Sequence, residues 1–299
     1  MEGILMPLEQ KSSNIWLTEH LSAGETYQYL ISKIITQQTS DYQDICIVEL
    51  ENKSKALILN NKLQPTTFDE HMYFEPFVHI PFIHFKEPES ILILGAGEGA
   101  IAREVLKWKS VKKINIVERD KLIVDSCSKY LPEINKGSFK NSKVKIFYKD
   151  VNSFISQDDN KYDVIFYNLQ DPLLEEKNKI NFNKKLLLDC KSLLNKNGLM
   201  CLQMGDSPIK KNELFIEKIK LMKSIFRSTK IYSSWIPSIC KNLSFVLMNK
   251  DKLIESMPFN DVDMILQRQL LDELIFVNAK TFIGLMNPPK YIQEYDEVG

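Results

Sequence analysis

The sequence predicts a two-domain α/β protein: a small antiparallel β domain at residues 1–84, then a doubly wound, mostly parallel sheet at residues 85–299. Two observations predict this fold. The apolar stretches DICIVEL and KALIL, between Asp41 and Thr67, are separated by turn-like polar residues, which favours antiparallel strands. From Glu89 onward, apolar runs of strand length alternate with helical segments, which is typical of a parallel sheet covered by helices on both faces.

The second domain contains five expected strands, which read SILIL, KINIV, KVKIF, YDVIFY and GLMCLQM. Three helices are expected between them at AIAREVLKW, KLIVDSCSKYL and NKKLLLDCKSLL, because each segment places its apolar residues on one face at helical spacing. Further on, a strand pair is expected at KIYSSW and LSFVLMNK, and a C-terminal helix near MILQRQLLDELI. The prolines from Pro81 to Pro88 mark the best candidate for the domain boundary.

Charge and composition favour a small-molecule partner. The chain has 39 basic and 39 acidic residues and a pI near 6.9, so no overall field attracts nucleic acid or an anionic membrane.

The five cysteines are scattered through apolar runs, which predicts reduced core thiols and a cytoplasmic location. The N-terminus lacks a signal-peptide pattern, and no apolar run reaches the ~20 residues of a membrane span. The four histidines lack zinc-ligand spacing, so no metal is expected.

A glycine-rich turn is the sharpest local signal. Gly95, Gly97 and Gly99 follow the strand SILIL directly and precede a helix that begins near Ala100. Glycines at such a turn let the backbone approach a ligand beside the positive end of a helix. A tight turn without any ligand is the alternative interpretation.

Acidic residues after the next two strands favour the ligand interpretation. Glu118 follows the second strand at roughly 20 residues from the glycines, where an acid accepts hydrogen bonds from a ribose diol. Asp150 ends the third strand and is placed to meet an adenine amine. The glycine spacing is GxGxG rather than the GxGxxG of dinucleotide sites, which favours S-adenosylmethionine over NAD.

Several longer segments resemble the spermidine synthase family of aminopropyltransferases. They include SDYQDI at residues 40–45, LQPTTFDEHMYFEPFVHIP at residues 63–81, GAGEGAIAREVLKW, IVERD, YLPEI, an Asp171-Pro172 pair and the closing TFIGLMNPPKYI. The resemblance runs from about Trp16 almost to the C-terminus. It implies a Rossmann-like sheet of the class I S-adenosylmethionine-dependent transferase type after the β domain, and a homodimer.

The resemblance also implies site residues. Gln43, Glu118 and Asp150 would hold the nucleoside, and Glu98 would bind the amino group of the donor's side chain. Gln64 and Tyr73 would line the active site.

The sequence departs from the family pattern at the acceptor site. Where the family has an aspartate at the end of the fourth strand, this chain has Asn168, an amide that cannot act as a general base. Ile239 replaces an expected tyrosine, and Phe74 stands where the family has His or Gln. Asp171 is the first choice for a replacement carboxylate, although a turn role before Pro172 is an equal alternative.

Three functional hypotheses remain open at this stage. In the first, a 3-aminopropyl or 3-amino-3-carboxypropyl group moves from decarboxylated or intact S-adenosylmethionine to a small nucleophile, which releases methylthioadenosine. Tyr73, Asn168 and Asp171 then orient the acceptor, which is not necessarily a standard polyamine. The second hypothesis is methyl transfer on the same scaffold, and the third is an inactive nucleoside-binding homologue.

Overall fold

The computed structural model of the chain describes residues 15–22, 24–95, 97–169 and 184–297. The chain divides into two compact units, Met1–Phe68 and Asp69–Gly299. The sequence placed this division between residues 84 and 85, at the end of a helix that the structure groups with the second unit.

The first unit is an antiparallel sheet, as the sequence predicted, and it has five strands. Its strands follow one another in chain order: β1 (Ile15–Ser22), β2 (Glu25–Thr39), β3 (Asp44–Leu50), β4 (Lys55–Leu59) and β5 (Lys62–Leu63). Only β3 and β4 were expected from their apolar stretches, and both have buried side chains, such as Ile47 on β3 and Leu57 on β4. The long β2 was missed because most of its residues are exposed or half-buried and polar.

The second unit is built on a seven-stranded sheet in the order β11-β12-β10-β9-β6-β7-β8. The strands are β6 (Ser90–Leu94), β7 (Lys113–Val117), β8 (Val144–Phe147), β9 (Tyr162–Tyr167), β10 (Leu194–Asp206), β11 (Ser228–Ile236) and β12 (Lys241–Asn249). Strands β10, β9, β6, β7 and β8 pair in parallel, and β12 pairs antiparallel with both β10 and β11. The prediction of a doubly wound, mostly parallel sheet is confirmed.

Helices connect and cover these strands. They are α1 (His71–Phe85), α2 (Ala100–Leu106), α3 (Lys121–Tyr130), α4 (Pro132–Asn135), α5 (Val151–Ile155), α6 (Lys184–Leu193), α7 (Glu213–Ile225), α8 (Phe259–Gln269), α9 (Ala279–Met286) and α10 (Lys290–Glu297). Across the described ranges, no helix is both long enough and apolar enough to span a membrane. All five cysteines are free of disulfide bonds, and Cys127, Cys190 and Cys201 are buried.

The C-terminal helix is shorter than its sequence pattern predicted. Helix α8 ends at Gln269, and Leu270 is extended and forms an isolated β-bridge with Trp108. The amide of Leu271 donates to the carbonyl of Lys107 at 2.8 Å. Pairing with the segment after α2 therefore replaces the helical hydrogen bonds that LLDELI would have made.

Helix α1 was not predicted, because Pro76 and Pro81 lie inside it. A proline lacks the N–H that would bond to the carbonyl four residues earlier. For Pro76 that carbonyl belongs to Met72, and the hydroxyl of Ser234 on β11 donates to it at 2.7 Å. A tertiary hydrogen bond thus satisfies the acceptor that the proline leaves open, and α1 continues as a buried helix packed on α2 and β10.

Replacing Ser234 with Ala should therefore destabilise the protein by about 1 to 2 kcal/mol, because the carbonyl of the half-buried Met72 loses its donor. In a Pro76→Ala background the same change should cost clearly less, since an alanine N–H can bond to Met72. Urea unfolding of the four proteins of this double-mutant cycle measures the difference. Ser233→Ala, at the half-buried neighbouring position, serves as the matched control. Equal costs in both backgrounds would contradict this explanation of α1.

Candidate active site

The glycine turn holds the end of β6 against the end of β9. Gly95 has a φ of +93°, and a Cβ built on it would lie 2.4 Å from the backbone oxygen of Asn168. Gly97 also has a positive φ, +51°, and a Cβ there would lie 3.6 Å from Nδ2 of Asn168. Only glycine fits this contact at Gly95. Helix α2 begins at Ala100, directly after Gly99, as the sequence predicted.

Glu98 is a buried acid within this turn, with 6% of its surface exposed. Burial raises its pKa from 4.5 to about 7, against an opposing hydrogen bond to its own backbone amide. The charge of Glu70 raises the pKa further, and the charge of Arg103 opposes it. A positively charged group bound next to this carboxyl would lower its pKa, because a cation stabilises the ionised form that burial disfavours.

Tyr73 and Asn168 meet across the second unit. The hydroxyl of Tyr73, on α1, donates to Oδ1 of Asn168 at 2.8 Å, while Nδ2 of the same amide lies beside Gly97. The Tyr73 ring is buried against Phe74 and Phe245, with ring centroids 4.6 and 5.4 Å away. The structure therefore brings Tyr73, Asn168 and the glycine turn together in one place.

Glu118 lies directly after β7, at the carboxyl edge of the sheet. Oε1 of Glu118, directly after β7, accepts a hydrogen bond from the amide of Asp120 at 2.9 Å. Burial raises the pKa of the nearby Cys127 thiol well above its usual value, and the charges of Glu98 and Glu118 add to this effect. Glu98 and Glu118 thus both lie close enough to Cys127, on α3, to raise the pKa of its thiol.

Asp150 lies three residues after β8 rather than in it, and it caps α5. Its exposed side chain accepts a hydrogen bond from the amide of Ser153 at 3.0 Å. A capping aspartate fixes the start of the helix at this edge of the sheet. Asp150 therefore lies just beyond the third parallel strand, whereas the sequence predicted it at the end of that strand, and it also caps a helix.

The other predicted residues are distributed differently. Gln43 and Gln64 lie in the first unit. Gln43 is in the turn between β2 and β3, and Gln64 directly follows β5. The backbone N–H of Gln64 donates to the carbonyl of Leu57 at 2.9 Å. Asp171 lies outside the described residues. Phe74 and Ile239 are both buried, with 2% and 6% of their surfaces exposed.

A buried ion-pair network next to the turn received no role in the sequence analysis. Arg103 on α2 makes two hydrogen bonds to the Glu70 carboxylate, at 3.0 and 2.7 Å, and one to Oε1 of Glu104 at 2.7 Å. It also donates to the carbonyl of Ile134 at 2.6 Å. The available signal was the RE pair at the end of GEGAIARE, together with the glutamate three positions before Tyr73.

The network continues into the core through His79. Trp108 donates to Nδ1 of His79 at 2.8 Å, so the ring proton lies on Nε2 and is donated to Glu104 at 2.8 Å. Although burial alone would raise it, the pKa of Glu104 is held far below its ordinary value by the hydrogen bond from His79 and by the charges of Arg103 and Lys107. These contacts join α1 to α2.

Comparison with known proteins agrees with this architecture. Residues 70–260 match the spermine/spermidine synthase domain, and residues 15–67 match the spermidine synthase tetramerisation domain. A polyamine aminopropyltransferase of Sulfolobus acidocaldarius is 29% identical over 93% of this chain and 92% of its own length, and that of Sulfurisphaera tokodaii is 30% identical with the same coverage. A crystal structure of a spermidine synthase with the transition-state analogue AdoDATO has a TM-score of 0.84 and 23% identity, and covers 100% of this chain and 99% of that one.

The parallel sheet with its glycine turn is the fold of class I S-adenosylmethionine-dependent transferases. Within that class, the chain belongs to the spermine/spermidine synthase family. It is accordingly an enzyme that transfers alkyl groups of the aminopropyl type.

Glu98→Gln should remove a pH dependence of stability. The folded protein holds a proton on Glu98 up to about pH 7, whereas the unfolded chain loses it near 4.5. The free energy of unfolding therefore falls as pH rises between these values, by roughly 3 kcal/mol at about 1.4 kcal/mol per pH unit. Urea titrations across this range should show a flatter profile for Glu98→Gln and an unchanged one for the exposed control Glu217→Gln. Parallel profiles for the wild type and Glu98→Gln would contradict the shifted pKa.

Proposed function

We propose that the enzyme transfers the 3-aminopropyl group of decarboxylated S-adenosylmethionine to a small amine of the polyamine type. The amine nitrogen forms a bond to the propyl carbon that is attached to sulfur, and the bond between that carbon and sulfur breaks. The sulfonium leaves as neutral methylthioadenosine, and the amine gives up a proton. The observation that carries this proposal is the buried carboxyl of Glu98 in the same turn whose glycines contact Asn168.

The donor half of the proposal rests on the charge of Glu98. The aminopropyl chain ends in an ammonium group, which pairs with a carboxylate that burial otherwise holds half-protonated near pH 7. Intact S-adenosylmethionine carries an additional carboxylate beside that ammonium, which Glu98 would repel. The decarboxylated donor therefore suits the site better than the intact one. The nucleoside roles of Gln43, Glu118 and Asp150, and the place of Gln64 at the active site, remain predictions from the sequence and the family resemblance.

The acceptor half rests on the Tyr73–Asn168 pair. The Asn168 amide can accept or donate a hydrogen bond, but it cannot take up the proton that the reacting amine must lose. It also carries no charge that would hold an ammonium. We infer that the acceptor nitrogen reacts after it has lost its proton to solvent, with Tyr73 and Asn168 orienting it. Among amines of the polyamine type, this arrangement favours those with the lower pKa values, because more of the neutral amine is present near pH 7.

Mass spectrometry of the products tests the proposal. The purified enzyme is incubated with decarboxylated or intact S-adenosylmethionine and with putrescine, spermidine, or a weakly basic amine such as an aminomethyl heterocycle. An aminopropylated amine and methylthioadenosine, formed only from the decarboxylated donor, are expected. S-adenosylhomocysteine, or no product with any amine, would contradict aminopropyl transfer.

Asn168→Asp should increase the rate of putrescine aminopropylation near neutral pH by about 10-fold or more, because a carboxylate there can hold the ammonium and take its proton. In the wild type, the rate should rise about tenfold per pH unit toward the pKa of the amine, near 10. Asn168→Ala removes the amide without adding a base and should give no increase. Steady-state rates of the wild type and the two variants, measured across pH, test these expectations. An Asn168→Asp rate at or below that of Asn168→Ala would contradict the role assigned to Asn168.

We also propose that the enzyme assembles through its first unit, into an oligomer that can exceed the homodimer expected from the sequence. The match to a tetramerisation domain supports this. So do four large apolar side chains exposed on β1 and β2, which are Ile15, Trp16, Tyr27 and Ile34. Exposed large apolar side chains on adjacent strands are typical of a region that another subunit covers.

Trp16→Ser combined with Ile34→Ser should shift the protein toward smaller species, because both side chains are about half exposed, at 54% and 44%. Size-exclusion chromatography with light scattering measures the mass. Ile209→Ser, at an 83% exposed position in the second unit, is the matched control and should leave the mass unchanged. An unchanged mass in the double variant would contradict assembly through these strands.

A further inference from the structure

A second concave site lies beside the sheet, among residues of β7, β8, α5 and the loop that follows. Its volume is about 430 Å³, which is in the range of small-molecule sites. None of the residues assigned above to donor or acceptor lines it. Strand β8 is the edge strand of the sheet, and its four residues are half-buried or exposed.

Three lysines line this cavity, Lys113, Lys145 and Lys149. Within the described parts of the chain, none of the three forms an ion pair; Lys113 donates instead to Oδ1 of Asn160 at 3.1 Å. The acid that lines the cavity, Asp158, accepts a hydrogen bond from the Tyr162 hydroxyl at 2.5 Å. The cavity therefore carries an excess of two positive charges and favours an anion.

The cavity wall also contains a buried acceptor without a partner. Asn115 has 1% of its surface exposed, and its Nδ2 donates to the Tyr162 hydroxyl at 2.8 Å. Because Tyr162 gives its own proton to Asp158, it can only accept from Asn115, which fixes the orientation of the amide. Oδ1 of Asn115 is consequently left without a hydrogen bond among the described residues. An unpaired buried acceptor is costly, so a ligand N–H that reaches it gains free energy.

An aromatic surface completes the cavity. Phe147 and Phe154 lie with ring centroids 4.9 Å apart, and the ammonium of Lys145 stands 4.7 Å from the Phe147 centroid. Aromatic faces of this kind bind flat rings. The cations suit the phosphate groups of a nucleotide, and the N–H acceptor and the aromatic surface both suit its base.

We propose that this cavity binds a nucleoside phosphate. Its phosphate groups pair with Lys113, Lys145 and Lys149, and its base packs on Phe147 and Phe154. An N–H of the base donates to Oδ1 of Asn115, the acceptor without a partner in the cavity wall. Lys149 directly precedes Asp150, so the cavity adjoins the predicted nucleoside site of the donor without sharing its residues.

Calorimetry on the full-length enzyme, saturated with methylthioadenosine to block the donor site, tests the proposal. ATP should bind saturably and about 10-fold or more tightly than inorganic phosphate, because the base adds its own contacts. Lys145→Gln combined with Lys149→Gln should weaken ATP binding about 10-fold or more. Lys220→Gln, an exposed lysine on α7, should leave it unchanged. Activity with the amine acceptor checks that each variant is folded.

Three results would overturn the proposal. ATP could give no saturable binding while methylthioadenosine is bound. The double lysine variant could bind ATP as tightly as the wild type does, which would place the ligand elsewhere. Inorganic phosphate could bind as tightly as ATP, which would leave no role for the aromatic surface or for Asn115. None of these results bears on aminopropyl transfer, which the product analysis tests separately.

Discussion

The two hydrogen bonds between Arg103 and Glu70 fix the helix that carries Tyr73 to the helix that follows the glycine turn. Glu104, which also binds Arg103, extends the connection to His79 farther along α1. Removing one member would leave a buried charge uncompensated, at a cost of about 3 to 5 kcal/mol. The relative position of Tyr73 and the turn therefore depends on this network, and the network's charges also act on the Glu98 carboxyl.

Two close contacts then define the site itself. The backbone of Asn168 lies so near Gly95 that no side chain fits between them, and its side chain receives the Tyr73 hydroxyl. The glycine turn thus contains an acid, Glu98, which suits a cation, and contacts a neutral amide, Asn168. This asymmetry is the physical reason to expect a cationic donor chain and an acceptor that reacts without its proton.

Much of the second unit follows from local sequence, because buried strands such as β6 and β9 are continuous apolar runs, and the turn between β6 and α2 is rich in glycine. Helix α1 could not be predicted in the same way, since its tolerance of Pro76 depends on Ser234, a residue far along the chain. Glu98, Tyr73 and Asn168 could be named from motifs. The Arg103 network could not be given a role, because only the fold brings Glu70, Arg103 and His79 together.

The most direct test is the affinity for decarboxylated S-adenosylmethionine compared with that for methylthioadenosine, measured by calorimetry in the wild type and in Glu98→Gln. The two ligands differ by the aminopropyl chain and the charges it brings. If Glu98 binds the ammonium, Glu98→Gln should weaken binding of the donor by about 10-fold or more and leave methylthioadenosine nearly unchanged. Equal losses for both ligands, or no loss for the donor, would contradict the account of the site.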